Sequence, residues 1–246
     1  TVIMAEERLA AYLDPKGADI PLEDYKKGDK VIPYSVVAKC KGTELEGMHY
    51  EQLMPYVNPG EGAFRVILGD YVTTEDGTGI VHIAPTFGAD DAFVAKAAGV
   101  PPLMIVDKNG LERPLVDLQG RFYRLEDIDE TFRRERMNTE LYSVYAGRYV
   151  KNAYDDTLTD KDETLDVSIC MDLKQNDKAF KIEKHVHSYP HCWRTDKPIL
   201  YYPLDSWFIR STAKKERMSE LNTTIRWKPQ STGTGRFGKW LENLND

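Results

Sequence analysis

The sequence predicts a mixed α/β fold with a barrel-like arrangement of short strands and with helices at its periphery. Segments rich in β-branched and aromatic residues outnumber segments of helical character, and the connections between them vary in length. No segment recurs at a fixed period, so neither a repeat protein nor a regular series of βαβ units is expected.

The composition is typical of a globular, water-soluble protein. The chain has 246 residues, 41% of them hydrophobic and 30% charged, and its formal net charge is −7. No apolar run approaches the roughly 20 residues that span a bilayer, and no secretory signal is recognisable. The three cysteines are scattered, so we expect a cytoplasmic protein without a membrane partner. The excess of acidic side chains argues against a protein that binds along nucleic acid by neutralising its phosphates. It does not argue against a protein that binds only the end of a nucleic acid.

The first half of the chain alternates candidate helices and strands. The predicted elements are a helix at 3–13, strands at 31–40, 64–72 and 79–84, a helix at 90–98 and a strand at 103–106. Asp90 and Asp91 favour a helix start because acidic side chains stabilise the N-terminal end of the dipole, and Gly99 is expected to end this helix. A strong turn signal at 107–110 ends the last strand.

The second half is predicted to contain more strands than helices. The spacing of Leu125, Ile128 and Phe132 predicts a helix with arginines on its other face. The further predicted elements are an acidic loop at 154–166, strands at 165–173, 179–186, 199–202 and 206–210, and a charged helix at 212–221. GTGRFG at 233–238 matches GxGxxG without a surrounding βαβ unit, so we expect a flexible loop there. An uncapped apolar stripe at 240–244 predicts that the chain is a piece of a longer protein.

The densest polar cluster in an apolar setting is GTGIVHIAPTFGADD at 77–91. Its glycines, Gly77 and Gly79, flank Thr78 and allow close backbone approach to a ligand. A carboxylate at the helix start can pair with an ammonium group, and the imidazole of His82 can orient water. The alternative is that Asp90 and Asp91 only complement the helix dipole and that His82 is a core residue.

A group of metal-ligating residues lies within eight positions, at His185, His187, His191 and Cys192. Structural zinc sites usually take pairs of ligands from two separated knuckles, whereas Cys40 and Cys170 have no paired neighbour. We therefore predict no metal site, and packing within a turn rich in tyrosine and proline is the expected role.

Three stretches together resemble the editing insertion (connective polypeptide 1) of isoleucyl-tRNA synthetases. They are residues 77–91, KGTELEG at 41–47 with Tyr50, Glu51 and Leu53, and SYPHCWR at 188–194 with Ser206-Trp207-Phe208 beyond it. The resemblance covers nearly the whole chain. It implies a piece of a class I synthetase, with an editing domain at 1–200 that is truncated on its N-terminal side and a return segment at 201–246.

The resemblance also implies roles for individual residues. Asp91 would bind the α-ammonium group of the misacylated amino acid, and His82 would contact the terminal ribose or the water. The substrate-binding set would comprise Gly77, Thr78, Gly79, Ala84, Phe87, Gly88 and Asp90. Trp207 would line the isoleucine pocket of the synthetic site. The family often has Ala or Gly where Thr86 stands, and Asp-Asp-Tyr where this chain has Asp91-Ala92-Phe93.

The implied activity is hydrolysis of mischarged Val-tRNA(Ile), within an enzyme that attaches isoleucine to tRNA using ATP and Mg²⁺. The implied partners are the tRNA 3′ end, valine and the rest of the synthetase, and the chain itself would need no cofactor. The family's threonine-rich peptide, which would form one wall of the editing pocket, is not present, so weak hydrolysis by the chain alone is expected. The HIGH and KMSKS signatures of the synthetic site are not present either. Two alternatives remain: a valyl enzyme's editing domain that clears Thr-tRNA(Val), and a noncatalytic module that docks the tRNA end.

Overall fold

The fold is described from a computed structural model, which places residues 1–159, 161–184 and 186–244. The chain divides into two compact units, Thr1–Pro203 and Leu204–Asp246. Within the described residues the α-helices are α1 (Leu9–Tyr12), α2 (Ala89–Ala98), α3 (Glu130–Arg136), α4 (Thr139–Ser143), α5 (Leu165–Gln175), α6 (Lys215–Thr224) and α7 (Phe237–Glu242), and the strands are β1 (Met104–Val106) and β2 (Glu112–Pro114). None of these helices is both long and apolar enough to cross a membrane.

The sheet of the first unit is a β-hairpin. Strands β1 and β2 pair antiparallel, in the register Met104↔Pro114, Ile105↔Arg113 and Val106↔Glu112. Asp107 Oδ1 closes the turn by accepting hydrogen bonds from the amides of Asn109 (2.8 Å) and Leu111 (3.0 Å). The hydrogen bond from Leu111 is the main reason that the pKa of Asp107 lies below its usual value. The predicted strand at 103–106 and the predicted turn are both confirmed.

The hairpin contributes to the apolar core of the first unit. This core consists of Val57, Ile105, Leu115, Ile128 and Tyr142. The side chain of Tyr142 is fully buried, and its hydroxyl donates a 2.6 Å hydrogen bond to the carbonyl oxygen of Tyr123. This bond satisfies a polar group that would otherwise be costly to bury. Burial raises the pKa of Tyr142, so the group stays a neutral donor.

The predicted strand at 165–173 is wrong, because this segment forms the helix α5. Thr164 caps the helix, its hydroxyl accepting from the amide of Val167 at 3.4 Å, and Asp166 lies in the first turn. Leu165, Ile169 and Leu173 follow at intervals of four and are less exposed than Val167. The helical period of the apolar residues and the cap therefore outweigh the strand preference of Val167 and Ile169.

The other predicted strands do not form a barrel. Among the described residues the sheet has two strands, and the segments 31–40, 64–72, 79–84, 199–202 and 206–210, together with the described part of 179–186, form at most isolated bridges. Val36 and Val37 are 55% and 78% exposed, and Ile80 and Val81 are about half exposed. A β-branched residue favours a strand only where it packs on a half-buried sheet surface, and these residues lack such a surface. The expectation that strands outnumber helices is therefore wrong for the described residues.

The predicted helices agree with the structure more closely than the predicted strands do. Helix α2 and its end at Gly99 agree with the prediction, as does α6, and the 3–13 segment is helical over Glu6–Tyr12 in a 3₁₀ turn followed by α1. The predicted 125–132 helix is instead a 3₁₀ turn, Leu125–Asp127, followed by α3. Asp129 separates the two by capping α3, its carboxylate accepting from the amide of Phe132 at 2.8 Å.

The predicted flexible loop at 233–238 is also wrong. A π-helical turn, Thr232–Arg236, leads directly into α7. The side chain of Asn222 donates to the carbonyl oxygen of Gly233 at 2.9 Å and accepts from Trp227 Nε1 at 2.9 Å. These two bonds hold the turn in place. The rings of Trp227, Phe237 and Trp240 line a shallow pocket of about 370 Å³ within this second unit.

Candidate active site

The candidate site lies in the turn that leads into α2. Asp91 Oδ2 accepts a 2.9 Å hydrogen bond from the amide of Ala84, which joins the start of the helix to the segment before the turn. The amides of Phe87 and Gly88 each donate to the carbonyl oxygen of Ala84 at 3.1 Å. Residues 84–91 thus form a closed loop, and the Asp91 carboxylate is half-buried at its base.

Gly88 is packed directly against this carboxylate. It precedes α2 as the N-cap residue and provides no side-chain cap. A Cβ atom at Gly88 would lie 2.7 Å from Asp91 Oδ2 and 2.8 Å from Asp91 Cγ, well inside van der Waals contact. Because the Asp91 side chain is short and hydrogen-bonded, it could not make room without leaving Ala84. The turn therefore requires glycine at position 88.

The other two titratable residues of the segment, His82 and Asp90, are exposed. The exposure of His82 excludes the alternative in which it is a core residue. The structure thus brings Ala84, Gly88 and Asp91 into contact, while His82 and Asp90 face solvent. A half-buried carboxylate can bind a cationic group, and the exposed imidazole of His82, in the same stretch of chain, is accessible to water.

The stretch Gly77-Thr78-Gly79 is in contact with the chain's own N-terminal segment. Arg8 donates from Nε to the carbonyl oxygen of Gly77 and from Nη1 to that of Glu75, both at 2.8 Å. The amide of Ala5 donates to Thr78 at 2.8 Å. Gly79 has φ = +75°, and a Cβ atom there would lie 2.5 Å from Ala5 Cβ. Residues 5–8 of the chain itself lie against these glycines, where the sequence predicts close approach of a ligand.

Replacing Arg8 with alanine should loosen this contact. Loss of two hydrogen bonds from a partly exposed guanidinium should cost about 1 kcal/mol, or roughly a fivefold faster exchange of the Ala5 amide. Hydrogen exchange followed by mass spectrometry measures the effect. Arg217→Ala serves as the control, because the ion pair that Arg217 forms with Glu220 is exposed and lies within α6. Equal exchange in the two variants would show that Arg8 does not hold the stretch.

Two contacts attach the turn to the core. Thr86 Oγ1 donates to the carbonyl oxygen of Leu103 at 3.0 Å. The ring of Phe87 meets that of Tyr202 edge to face at 5.9 Å, and the Tyr202 hydroxyl donates to the carbonyl oxygen of Val116 at 2.8 Å. Phe87 therefore packs against the protein, and its predicted contact with substrate stays a prediction.

Trp207 lies in the second unit, and its side chain is fully exposed. Its neighbours Phe208 and Ile209 are each 89% exposed. An exposed indole is available for contact with other parts of a larger protein. The predicted role of Trp207 in an isoleucine pocket stays a prediction.

The cluster at 185–192 shows no metal-ligand geometry among the residues that the structure describes, and His185 lies outside them. Cys192 is half-buried, and the hydroxyl of Thr195 is the largest contributor to a lowered pKa of its thiol. The backbone amides of Arg194 and Thr195 lower this pKa further. The geometry is that of a tight turn around a sulfur acceptor.

Comparison with known proteins identifies the family. Class I tRNA synthetases, the group for isoleucine, leucine, methionine and valine, match residues 23–246. The chain belongs to this family. The predicted membership among class I synthetases is therefore confirmed.

Similar proteins include several isoleucine–tRNA ligases. That of Bacteroides fragilis strain YCH46 is 72% identical over 246 residues, which is 100% of this chain and 22% of the relative. That of Porphyromonas gingivalis is 64% identical over 248 residues, with the same coverage. That of Thermoplasma volcanium is 41% identical over 213 residues, 87% of this chain and 17% of the relative. The chain spans about a fifth of the length of these relatives.

Proposed function

We propose that this class I synthetase chain is part of a cytoplasmic isoleucine–tRNA ligase and that it contributes to a site that hydrolyses Val-tRNA(Ile). The observation that carries the proposal is the half-buried carboxylate of Asp91, held at the start of α2 by the amide of Ala84. Residues 1–200 are assigned to the editing domain and 201–246 to the segment that returns to the synthetic core. The partners are the 3′ end of tRNA(Ile), valine as the misacylated amino acid and the rest of the ligase.

Such an enzyme needs a second site because of the chemistry of its substrates. A pocket that accepts isoleucine cannot exclude valine, since one missing methylene changes binding by only about 1–3 kcal/mol. A second site that accepts valine and rejects isoleucine supplies the remaining discrimination. It must bind the α-ammonium group, limit the side chain and admit water to the ester carbonyl.

The residues of the turn match these requirements. Oδ2 of Asp91 is bound to the amide of Ala84, which leaves Oδ1 for the α-ammonium group. Partial burial strengthens this ion pair, because water screens it less. The exposed imidazole of His82 can contact the terminal ribose or orient the attacking water. The small side chain of Ala84, whose amide binds Asp91, is assigned to the part of the site that receives the isopropyl group of valine.

The ATP and Mg²⁺ of the ligation reaction belong to other parts of the ligase in this proposal. The chain contains neither the HIGH nor the KMSKS sequence, and its described residues hold no cluster of metal-ligating side chains. The residues present therefore do not fit an ATP–Mg²⁺ site. Hydrolysis of the ester is assigned to water, with Asp91 and His82 positioning the substrate.

The choice of valine over threonine as the cleared amino acid rests on the relatives, whose names specify isoleucine. The test compares hydrolysis of Val-tRNA(Ile) and Thr-tRNA(Val) by the full-length ligase that contains this chain. We expect cleavage of Val-tRNA(Ile) to be favoured by at least about tenfold. Preference for Thr-tRNA(Val) would indicate a valyl enzyme. Binding of both tRNAs without cleavage would indicate a noncatalytic docking module.

The chain by itself should hydrolyse Val-tRNA(Ile) weakly. The resemblance to isoleucyl-tRNA synthetases implies that a threonine-rich peptide faces this turn, and no such run occurs between Thr1 and Asp246. Since a misplacement of about 1 Å can cost on the order of a hundredfold in rate, we expect a comparable deficit relative to the full-length ligase. Equal rates per active site, measured on the same substrate, would show that the peptide is dispensable.

A further inference from the structure

A hydrogen bond fixes the tip of the loop that carries Asp91. Thr86 lies midway between Ala84 and Gly88, and its half-buried hydroxyl donates to the carbonyl oxygen of Leu103 at 3.0 Å. Leu103 immediately precedes β1 and packs against the apolar core of the first unit. The tip of the loop is thereby attached to a residue that packs against the apolar core.

The position of this bond matters because the loop is closed at its base. The amides of Phe87 and Gly88 donate to Ala84, whose own amide donates to Asp91 Oδ2. A rotation of the tip therefore shifts the groups that bind the Asp91 carboxylate. Gly88 transmits such a shift directly, because it lies against the carboxylate without an intervening side chain.

The tip of the loop also contacts the rest of the first unit through Phe87, which packs against Tyr202. That contact is edge to face with ring centroids 5.9 Å apart. Both the edge-to-face contact and the hydrogen bond have a preferred geometry, and the hydrogen bond is the shorter of the two contacts. The orientation of the loop therefore depends in part on Thr86.

We infer that Thr86 is a positioning residue for the proposed editing reaction, since its bond to Leu103 orients the loop that presents Asp91 to the α-ammonium group. The inference rests on the proposed function, because it assigns a role to Thr86 through Asp91. An alanine at this position cannot make the bond, so a chain with alanine must hold the loop by other contacts.

The test uses the full-length ligase with Thr86→Ala and Thr86→Ser. Thr223→Ala is the matched control, since its hydroxyl also donates to a backbone carbonyl, that of Glu220, at 2.7 Å within α6. The measured quantities are KM and kcat for hydrolysis of Val-tRNA(Ile), the rate of isoleucine activation, and amide hydrogen exchange at Ala84.

We expect Thr86→Ala to raise KM about tenfold and to speed exchange at Ala84, with isoleucine activation unchanged. The reason is that the ammonium group is bound in both the ground state and the transition state, so its loss acts on KM. Thr86→Ser keeps the hydroxyl and should restore both values. A variant that merely folded poorly would lower the amount of active enzyme, and hence kcat, without changing KM.

An unchanged KM in Thr86→Ala, or a Thr86→Ser variant as impaired as Thr86→Ala, would overturn the inference. The variant Asp91→Ala separates this failure from failure of the proposed function. If Asp91→Ala is inactive and Thr86→Ala behaves as wild type, only the role of Thr86 is refuted. If Asp91→Ala hydrolyses normally, the proposed function fails and the role assigned to Thr86 fails with it.

Discussion

Replacing Asp91 with alanine should abolish clearance of Val-tRNA(Ile) by the full-length ligase and leave isoleucine activation intact. The substrate ammonium group would then lose its charged partner in a partly desolvated site. Removing one member of such a pair typically costs about 2–5 kcal/mol, or roughly thirtyfold or more in kcat/KM. Deacylation of preformed Val-tRNA(Ile) measures the loss, and ATP–pyrophosphate exchange with isoleucine measures activation.

A matched variant separates the charge of Asp91 from its structural role. Asp91→Asn keeps an oxygen that can accept from the amide of Ala84 but removes the negative charge. We expect Asp91→Asn to be nearly as inactive as Asp91→Ala, with exchange at Ala84 close to that of the wild type. Full activity of Asp91→Asn would show that Asp91 only supports the turn.

Replacing Ile105 with alanine should strongly destabilise the first unit. Ile105 is fully buried in the same core cluster as Tyr142, and it lies on β1, the first strand of the hairpin. Deletion of such a side chain removes buried apolar area and leaves a cavity, at a cost of about 2–5 kcal/mol. Urea unfolding followed by far-UV circular dichroism measures the change in the free energy of unfolding.

The control for this prediction is Val37→Ala in the same unit. Val37 is also β-branched but 78% exposed, so its truncation should change the free energy of unfolding by less than about 0.5 kcal/mol. Similar unfolding midpoints for the two variants would contradict the assignment of Ile105 to the core.

Local signals in the sequence were sufficient for some elements of the fold. Helix α2 has acidic residues in its first turn and Gly99 at its end, and the hairpin turn has Asp107 and Gly110, all of which act over a few residues. The helix α5 could have been found from the spacing of its apolar residues. The strand predicted at 31–40 from its β-branched residues is wrong. Strand formation depends on a partner strand, and composition does not reveal one.

The candidate site shows the same division between local and distant contacts. The pairing of Asp91 with Ala84 spans seven residues, so the sequence could place both in one turn. The bonds of Arg8 to Glu75 and Gly77 span 67 and 69 residues, and no pattern in the sequence signals them. The bond of Thr86 to Leu103 likewise depends on how the turn packs against the region before β1.

The central claim is that the Asp91 carboxylate binds the α-ammonium group of the misacylated amino acid. The most direct measurement compares hydrolysis of Val-tRNA(Ile) with that of tRNA(Ile) esterified by 2-hydroxyisovalerate, in which a hydroxyl replaces the ammonium group. Each rate is divided by the uncatalysed rate of the same ester and measured with wild-type ligase and with Asp91→Asn. We expect the wild-type ligase to favour the ammonium substrate by roughly thirtyfold and Asp91→Asn to remove this preference. An equal preference in both enzymes would contradict the claim, because Asp91 would then not interact with the ammonium group.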